Sequence, residues 1–354
     1  MKPVGSESLL GFFEGALGLR KTHDGVQPIR LPLDELDLHH ASLKDPFRAE
    51  AASGIRMRFF TDSRHVALRV RHHLPELMPA EPVYDLVTGD GSIIRRMATK
   101  ISGTSDEVRF GPLDQTDGTI ELWLPPGLGV IVQSLLLDEG AHVEARADGS
   151  PRWVVYGSSI THCAWVPGPT ETWPAIAARE LGWHLTSLGF NGGCHLDSLI
   201  ARAMARLPAD RFTLKLGINV HNLQTLRERT FAPLVHGFIR TLRDKHEQTP
   251  ITIVSPIISP ERETSPVSMI PVLRGGGAPF HGDMTVSQMR EILRDVVDLW
   301  RRRGDLNIDY LDGRELLGEA DLPHLPDGLH PDPKGYALMG RRFAARYQSH
   351  KDNR

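Results

Sequence analysis

Two hydrophobic rhythms divide the chain. Up to about residue 148, apolar positions recur at every second residue. Ile55, Met57 and Phe59 alternate with Arg56 and Arg58; Val66, Leu68 and Val70 precede or follow Arg69 and Arg71. Ile120, Leu122 and Leu124 repeat the pattern beside Glu121 and Trp123. A period of two places alternate side chains on opposite faces, so these segments predict strands with one buried face. Asp90-Gly91 is a hairpin-turn signal between strands expected over 84–88 and 93–97. Many short strands separated by Gly, Pro and Asp turns predict an all-β, jelly-roll-like sandwich over residues 1–148.

From Trp153 onward the rhythm changes to alternating strands and helices. Short apolar runs predict strands over 153–156, 184–188, 212–216, 251–255 and 308–311. Phe231, Leu234, Val235, Phe238 and Leu242 are spaced by helical turns, as are Val286, Met289, Leu293, Val296 and Trp300. Asp332 can cap a further helix whose first residue is Pro333. Strands that alternate with helices imply a parallel sheet covered on both faces. The expected fold over 151–354 is therefore α/β, a flavodoxin-like three-layer αβα sandwich on a five-stranded parallel sheet. Asp148-Gly149-Ser150-Pro151 reads as the linker between the two parts.

Whole-chain numbers add little. A chain of 354 residues exceeds the usual size of one core, which agrees with two domains. Lys plus Arg number 41 against 44 Asp plus Glu, a formal charge of −3, so nucleic acid and anionic membrane are not expected partners. Two cysteines make no disulfide framework, which suits a reducing cytoplasm. Leu9-Leu10-Gly11-Phe12-Phe13 is signal-like but is interrupted by Glu14, and no segment reaches the length of a membrane span. The expectation is a cytoplasmic protein without a cofactor; homo-oligomerisation is left open.

The chemistry lies at the predicted strand ends. Gly157-Ser158-Ser159-Ile160-Thr161 follows the first strand of the second part, where glycine permits a sharp turn that lifts a serine hydroxyl off the sheet. Asp327-Gly328-Leu329-His330 puts a carboxylate three residues before a histidine, within reach of the imidazole in one loop. A serine is a weak nucleophile without an adjacent base, and that base needs an acid to fix its tautomer. Ser159, His330 and Asp327 supply the three parts. Two Gly-rich segments follow the next strands, Ser187-Leu188-Gly189-Phe190-Asn191 and Leu216-Gly217-Ile218-Asn219. Gly189 can offer an unobstructed N–H and Asn219 an amide, as an oxyanion requires, and Ser159 can add its own N–H. All would lie at the carboxyl ends of strands, where open parallel sheets bind ligands.

These four blocks resemble those of the SGNH (GDSL-type) hydrolase family, with Ser, Gly, Asn and His in the family's order over roughly residues 151 to 348. The resemblance implies Ser159 as nucleophile, His330 as base and Asp327 as its partner. It also implies an oxyanion hole made by Ser159, Gly189 and Asn219. Ser158 stands where the Gly-Asp-Ser-Leu form has Asp, and Val220 where the Gly-x-Asn-Asp form has Asp; neither replaced residue belongs to the catalytic set. A β-sandwich beside such a domain is also similar to carbohydrate esterases and to a polyketide-tailoring acyltransferase subgroup.

The remaining residues invite plainer readings. His162-Cys163 and Cys194-His195 match no common zinc spacing, so no metal is expected and the cysteines read as small buried side chains. Asn222 reads as a loop cap as readily as a substrate contact. Trp165, Phe190, His221 and Phe280 are the candidate pocket walls, and the Pro/Gly-rich stretch 259–282 is long enough for a lid. The expected activity is serine-esterase hydrolysis of small or medium acyl esters of a hydroxylated small molecule, a sugar being one candidate. One alternative is an acyltransferase using a thioester or ester donor and an alcohol acceptor. The other is a carbohydrate-binding protein without activity.

Overall fold

The computed structural model describes residues 1–74, 81–114, 118–146, 148–268 and 278–348. It divides into two compact units. The first is Met1–Ser150 with His162–Ala175; the second is Pro151–Thr161 with Ile176–Arg354.

The first unit holds twelve described strands: β1 Lys2–Pro3, β2 Phe13–Glu14, β3 Gly18–Lys21, β4 Val26–Ile29, β5 Arg56–Thr61, β6 Val66–His73, β7 Val83–Thr88, β8 Ile93–Met97, β9 Ser105–Phe110, β10 Thr119–Trp123, β11 Gly129–Leu137 and β12 Val143–Ala145. One sheet runs β3-β4-β11-β6-β9 and the other β12-β5-β10-β7-β8, with β1 added on β11 and β2 on β5. Numbered along the chain, β4 to β11 contribute their first, eighth, third and sixth members to one sheet. The second, seventh, fourth and fifth make the other. That alternation is the jelly roll. Leu122 sits in register with Met57 on one side and Leu86 on the other, so the alternating apolar positions form continuous rows. They join Phe59, Leu68, Val70, Val130 and Val132 in one core.

Alternation misled at Arg56. Expected on a solvated face, it is buried, with its guanidinium 2.8 Å from Glu14 and 5.0 Å over the Trp123 ring. An Arg stem and a planar head pack well against an aromatic ring, and the carboxylate compensates the buried charge.

Residues 162–175 cluster with the jelly roll. The reasons are specific. The buried His162 ring sits 2.7 Å from the Pro126 carbonyl through Nε2, and burial together with the nearby Arg30 and Arg48 charges keeps it neutral, so Nε2–H donates. The Ser53 hydroxyl donates to the His162 carbonyl at 2.7 Å. The fully buried Asp85 carboxylate accepts from the Arg95 guanidinium and, at 3.1 and 2.7 Å, from the Thr170 N–H and hydroxyl.

The second unit is built on β13 Arg152–Gly157, β14 His184–Gly189, β15 Arg211–Lys215, β16 Ile251–Val254, a two-stranded pair β17 Val267–Ser268 and β18 Phe280–His281, and β19 Ile308–Leu311. The main sheet runs β14-β13-β15-β16-β19, all parallel. In chain order that is 2-1-3-4-5, the flavodoxin-like arrangement expected from the sequence. Trp153 stacks on Phe343 of helix Pro333–Gln348, whereas Tyr156 stacks on Phe238 of helix Glu228–Arg243. Residues 153 and 156 differ by an odd number, so they point to opposite faces of β13. Helices therefore cover both faces, giving three layers. Among the described residues no helix is long and apolar enough to cross a membrane.

Trp153 has no exposed surface, and its indole N–H donates to Thr213 at 2.9 Å. Trp153→Ala should destabilise the second unit by about 3–5 kcal/mol, from lost burial and the residual cavity. Chemical denaturation measures this; a loss below about 1 kcal/mol would mean the layer closes without it.

Candidate active site

The strand order brings the predicted residues to one end of the sheet. β13 lies between β14 and β15, and parallel strands all end on the same side. Ser159 opens a short helix, Ser159–His162, two residues beyond the end of β13. The turn is tight enough to require glycine: a Cβ on Gly157 would lie 2.3 Å from Thr161 Oγ1. Ser158, where the GDSL form has Asp, takes up capping instead, its hydroxyl accepting the Ile160 N–H at 3.3 Å. Ser159 itself is 6% exposed.

His330 and Asp327 come from the loop between β19 and helix Pro333–Gln348. Gly328, at φ +68°, turns the chain so that Asp327 Oδ1 accepts the N–H groups of Leu329 and His330, at 2.9 and 2.6 Å. Asp327 Oδ2 lies 2.7 Å from His330 Nδ1. An ionised carboxylate only accepts, so the proton sits on Nδ1 and Nε2 is left as an acceptor. Ser159 Oγ lies 2.9 Å from Nε2, so its hydroxyl donates there. Burial pushes the Asp327 carboxyl upward. Hydrogen bonds from the His330 ring and N–H, the imidazole's charge and the Leu329 N–H outweigh it, holding Asp327 well below the usual carboxylate range.

Gly189 ends β14 directly opposite Gly157 in the ladder. Asn219 lies in the first turn of helix Ile218–Leu223, just beyond β15. Its Oδ1 accepts the Cys194 N–H at 3.0 Å. A backbone N–H can only donate, which fixes the amide's orientation and leaves Nδ2 as its donor. Cys194 is buried, and burial pushes its thiol up to about 12, so it behaves as the small packed side chain expected.

The pocket candidates fare unevenly. Phe190 and His221 have no exposed surface, so neither forms a wall here. Phe190 packs in the interior, and the His221 ring bonds the Ser265 carbonyl at 2.9 Å. Phe280 on β18 is 42% exposed. Trp165 is 39% exposed and belongs to the first unit, against Phe47. The lid expected over 259–282 includes residues 269–277, which lie outside the described residues; the rest forms helix Pro260–Thr264 and the β17–β18 pair. His195 bonds the Gly192 carbonyl and the Thr225 hydroxyl. Asn222 is buried, its Oδ1 accepting from Arg262 at 2.9 Å. Sequence reasoning missed Arg262 and Ser259: a Ser-Pro-Glu-Arg helix start was visible, but not what it touches.

A serine, a glycine, an asparagine and a histidine at the carboxyl ends of a 2-1-3-4-5 sheet are the positions by which the SGNH class of acyl-transferring hydrolases is defined. The chain belongs to the GDSL-like lipase/acylhydrolase family, whose model matches residues 155–338. Residues 11–133 match the family described as SsfX3, N-terminal domain. Among solved structures, a salicylyl-acyltransferase, SsfX3, from a tetracycline biosynthetic pathway is 28% identical, with a TM-score of 0.84 over 96% of this chain and 94% of that one. A Bacteroides ovatus ATCC 8483 protein described as a GDSL-like lipase is 20% identical, with a TM-score of 0.75 over 98% and 97%. A family two carbohydrate esterase from Clostridium thermocellum is 15% identical, at 0.59 over 88% and 97%. The last two show the fold alone. Among curated proteins none matches.

The depressed Asp327 carboxyl has a pH consequence. A group whose folded pKa lies below its ordinary value of 3.8 contributes stability above that value and loses it as pH falls through the folded one. Asp327→Asn should therefore be less stable than wild type at pH 6–7, and the gap should close below about pH 4. Denaturation midpoints across that range test it; a gap unchanged to about pH 3 would place its origin elsewhere.

Proposed function

We propose that the chain is a serine esterase acting on small or medium acyl esters of a hydroxylated small molecule in the cytoplasm. The observation that carries this reading is the continuous hydrogen-bond chain from Ser159 through His330 to Asp327. His330 Nε2 takes the hydroxyl proton as Ser159 Oγ attacks the acyl carbonyl. Asp327 holds the ring in its tautomer and stabilises the imidazolium without itself becoming protonated. The N–H groups of Ser159 and Gly189 and the Asn219 Nδ2 receive the oxyanion. The imidazolium then returns the proton to the leaving alcohol, giving acyl-Ser159. Water, deprotonated by the same imidazole, releases the acid and restores the serine.

Ser159→Ala and His330→Ala should abolish turnover of an activated ester such as p-nitrophenyl acetate. Asn219→Ala should lower kcat by about 10²- to 10³-fold with KM little changed, since its amide meets charge only in the transition state. A loss confined to KM would make Asn219 a ground-state binding group. Persistent activity in Ser159→Ala would sink the acyl-serine reading, whereas absence of turnover in the wild type would revive a binding-only protein.

A second reading is favoured by one observation, the likeness to a salicylyl-acyltransferase along nearly the whole of both chains. A transferase shares the acyl-serine and differs only in delivering it to an alcohol. Such an enzyme must hold its acceptor in attack geometry and keep water away. Partitioning separates the two: an acyl donor is supplied with graded alcohol or sugar acceptors, and free acid is compared with new ester. Free acid dominating across the panel supports the esterase. Product passing almost wholly to ester at about millimolar acceptor would establish transfer.

A further inference from the structure

Beyond the residues that would touch substrate, one buried cation joins the two halves of this site. Arg262 lies in helix Pro260–Thr264 and is 9% exposed. Its Nε donates to Asn222 Oδ1 at 2.9 Å, and Asn222 lies three residues beyond Asn219 on helix Ile218–Leu223. Its Nη1 donates to the Ser259 hydroxyl oxygen at 3.1 Å and, at 3.5 Å, to the Gly328 carbonyl inside the Asp327–His330 turn. Ser259 Oγ donates to the same carbonyl at 3.0 Å.

We infer that Arg262 is a positioning residue, clamping the helix that carries Asn219 to the loop that carries Asp327 and His330. The inference rests on the acyl-serine reading above.

The geometry needs an arginine. A planar fork can donate in two directions from one rigid group, whereas a lysine ammonium is a point at the end of a flexible stem. All three acceptors are neutral oxygens, so the buried charge is solvated but not cancelled by them. Glu263, next along the helix, is already engaged by Arg290 and Ser287. The field of Arg262 therefore reaches Glu261 on its own helix, His221 on the Asn219 helix and Asp327 on the loop. A cation beside this loop favours the ionised form of Asp327. Burial lowers the guanidinium's own proton affinity, and the charges of Glu261 and Asp327 oppose that effect.

Arg262→Met removes both fork and charge; Arg262→Lys keeps the charge and loses the fork. For each, kcat and KM are measured on an activated ester, with Ser159→Ala as control and circular dichroism to report the folded fraction. Arg262→Met should lower kcat by about 10- to 100-fold, as misplacement of catalytic groups does. KM should stay within about twofold. Arg262→Lys should recover part of that loss, giving an intermediate kcat. If Arg262→Met does not fold, Arg262→Lys and Ser259→Ala decide alone, both being expected to lower kcat. Wild-type kcat in both, or a loss matched by the unfolded fraction, overturns the clamp. Full activity in Ser159→Ala would instead overturn the acyl-serine reading, and this inference with it.

Discussion

Ser159 and His330 are 171 residues apart in the chain, yet Oγ and Nε2 lie 2.9 Å from one another. Everything in the site depends on keeping that separation. The parallel ladder is what keeps it. β13 is flanked by β14 and β15, and every strand of the sheet ends on the same side, so the groups following each strand converge there without long excursions. A slip of one residue in β13 would move Ser159 by about 3.3 Å along the strand, beyond hydrogen-bond reach. It would also exchange Trp153 and Tyr156 between the two helical layers, and each is stacked on an aromatic partner on its own side. The packing of two aromatic residues thus fixes the register that places the hydroxyl.

Much of this was legible because its causes are local. The five parallel strands announce themselves as short apolar runs separated by helical spacing. Asp327 reaches His330 through a turn of four residues, so its geometry is set by Gly328 and by two backbone N–H groups rather than by distant packing. The Gly157 turn is local too: it depends on Thr161, four residues on. The jelly roll follows from period-two alternation, although its strand order comes only from the paired registers.

What was illegible depends on which surfaces meet. Arg56 alternates as a solvent-facing residue should, and a strand's period cannot say that Glu14 and Trp123 will cover it. Phe190 sits in a loop and His221 in the short helix Ile218–Leu223 at the right end of the sheet, but that position does not reveal whether a side chain turns outward. Both turn inward. Residues 162–175 follow the serine in sequence, while His162 and Thr170 find their partners at Pro126 and Asp85. Arg262 is the sharpest instance. A Ser-Pro-Glu-Arg segment looks like an ordinary helix start, and only the tertiary fold brings Asn222 and Gly328 to its fork.

On the proposed acyl-serine reading, the same geometry bears on the fate of the acyl group. Asp327 and His330 keep 54% and 27% of their side-chain surface exposed, and what burial there is opposes the ionised carboxylate. Three hydrogen bonds from its own turn hold it, a mechanism that tolerates water nearby. A base that functions while wet can activate water as readily as an alcohol. Hydrolysis then requires nothing further of the molecule, since water is present at high concentration without being bound. Transfer requires an acceptor held in place of that water, with an effective concentration large enough to outcompete it. The acyl-enzyme chemistry is thus common to both reactions, and selection between them falls to surfaces beyond the serine, the histidine and the aspartate. Those surfaces are set by packing, where this sequence was least readable.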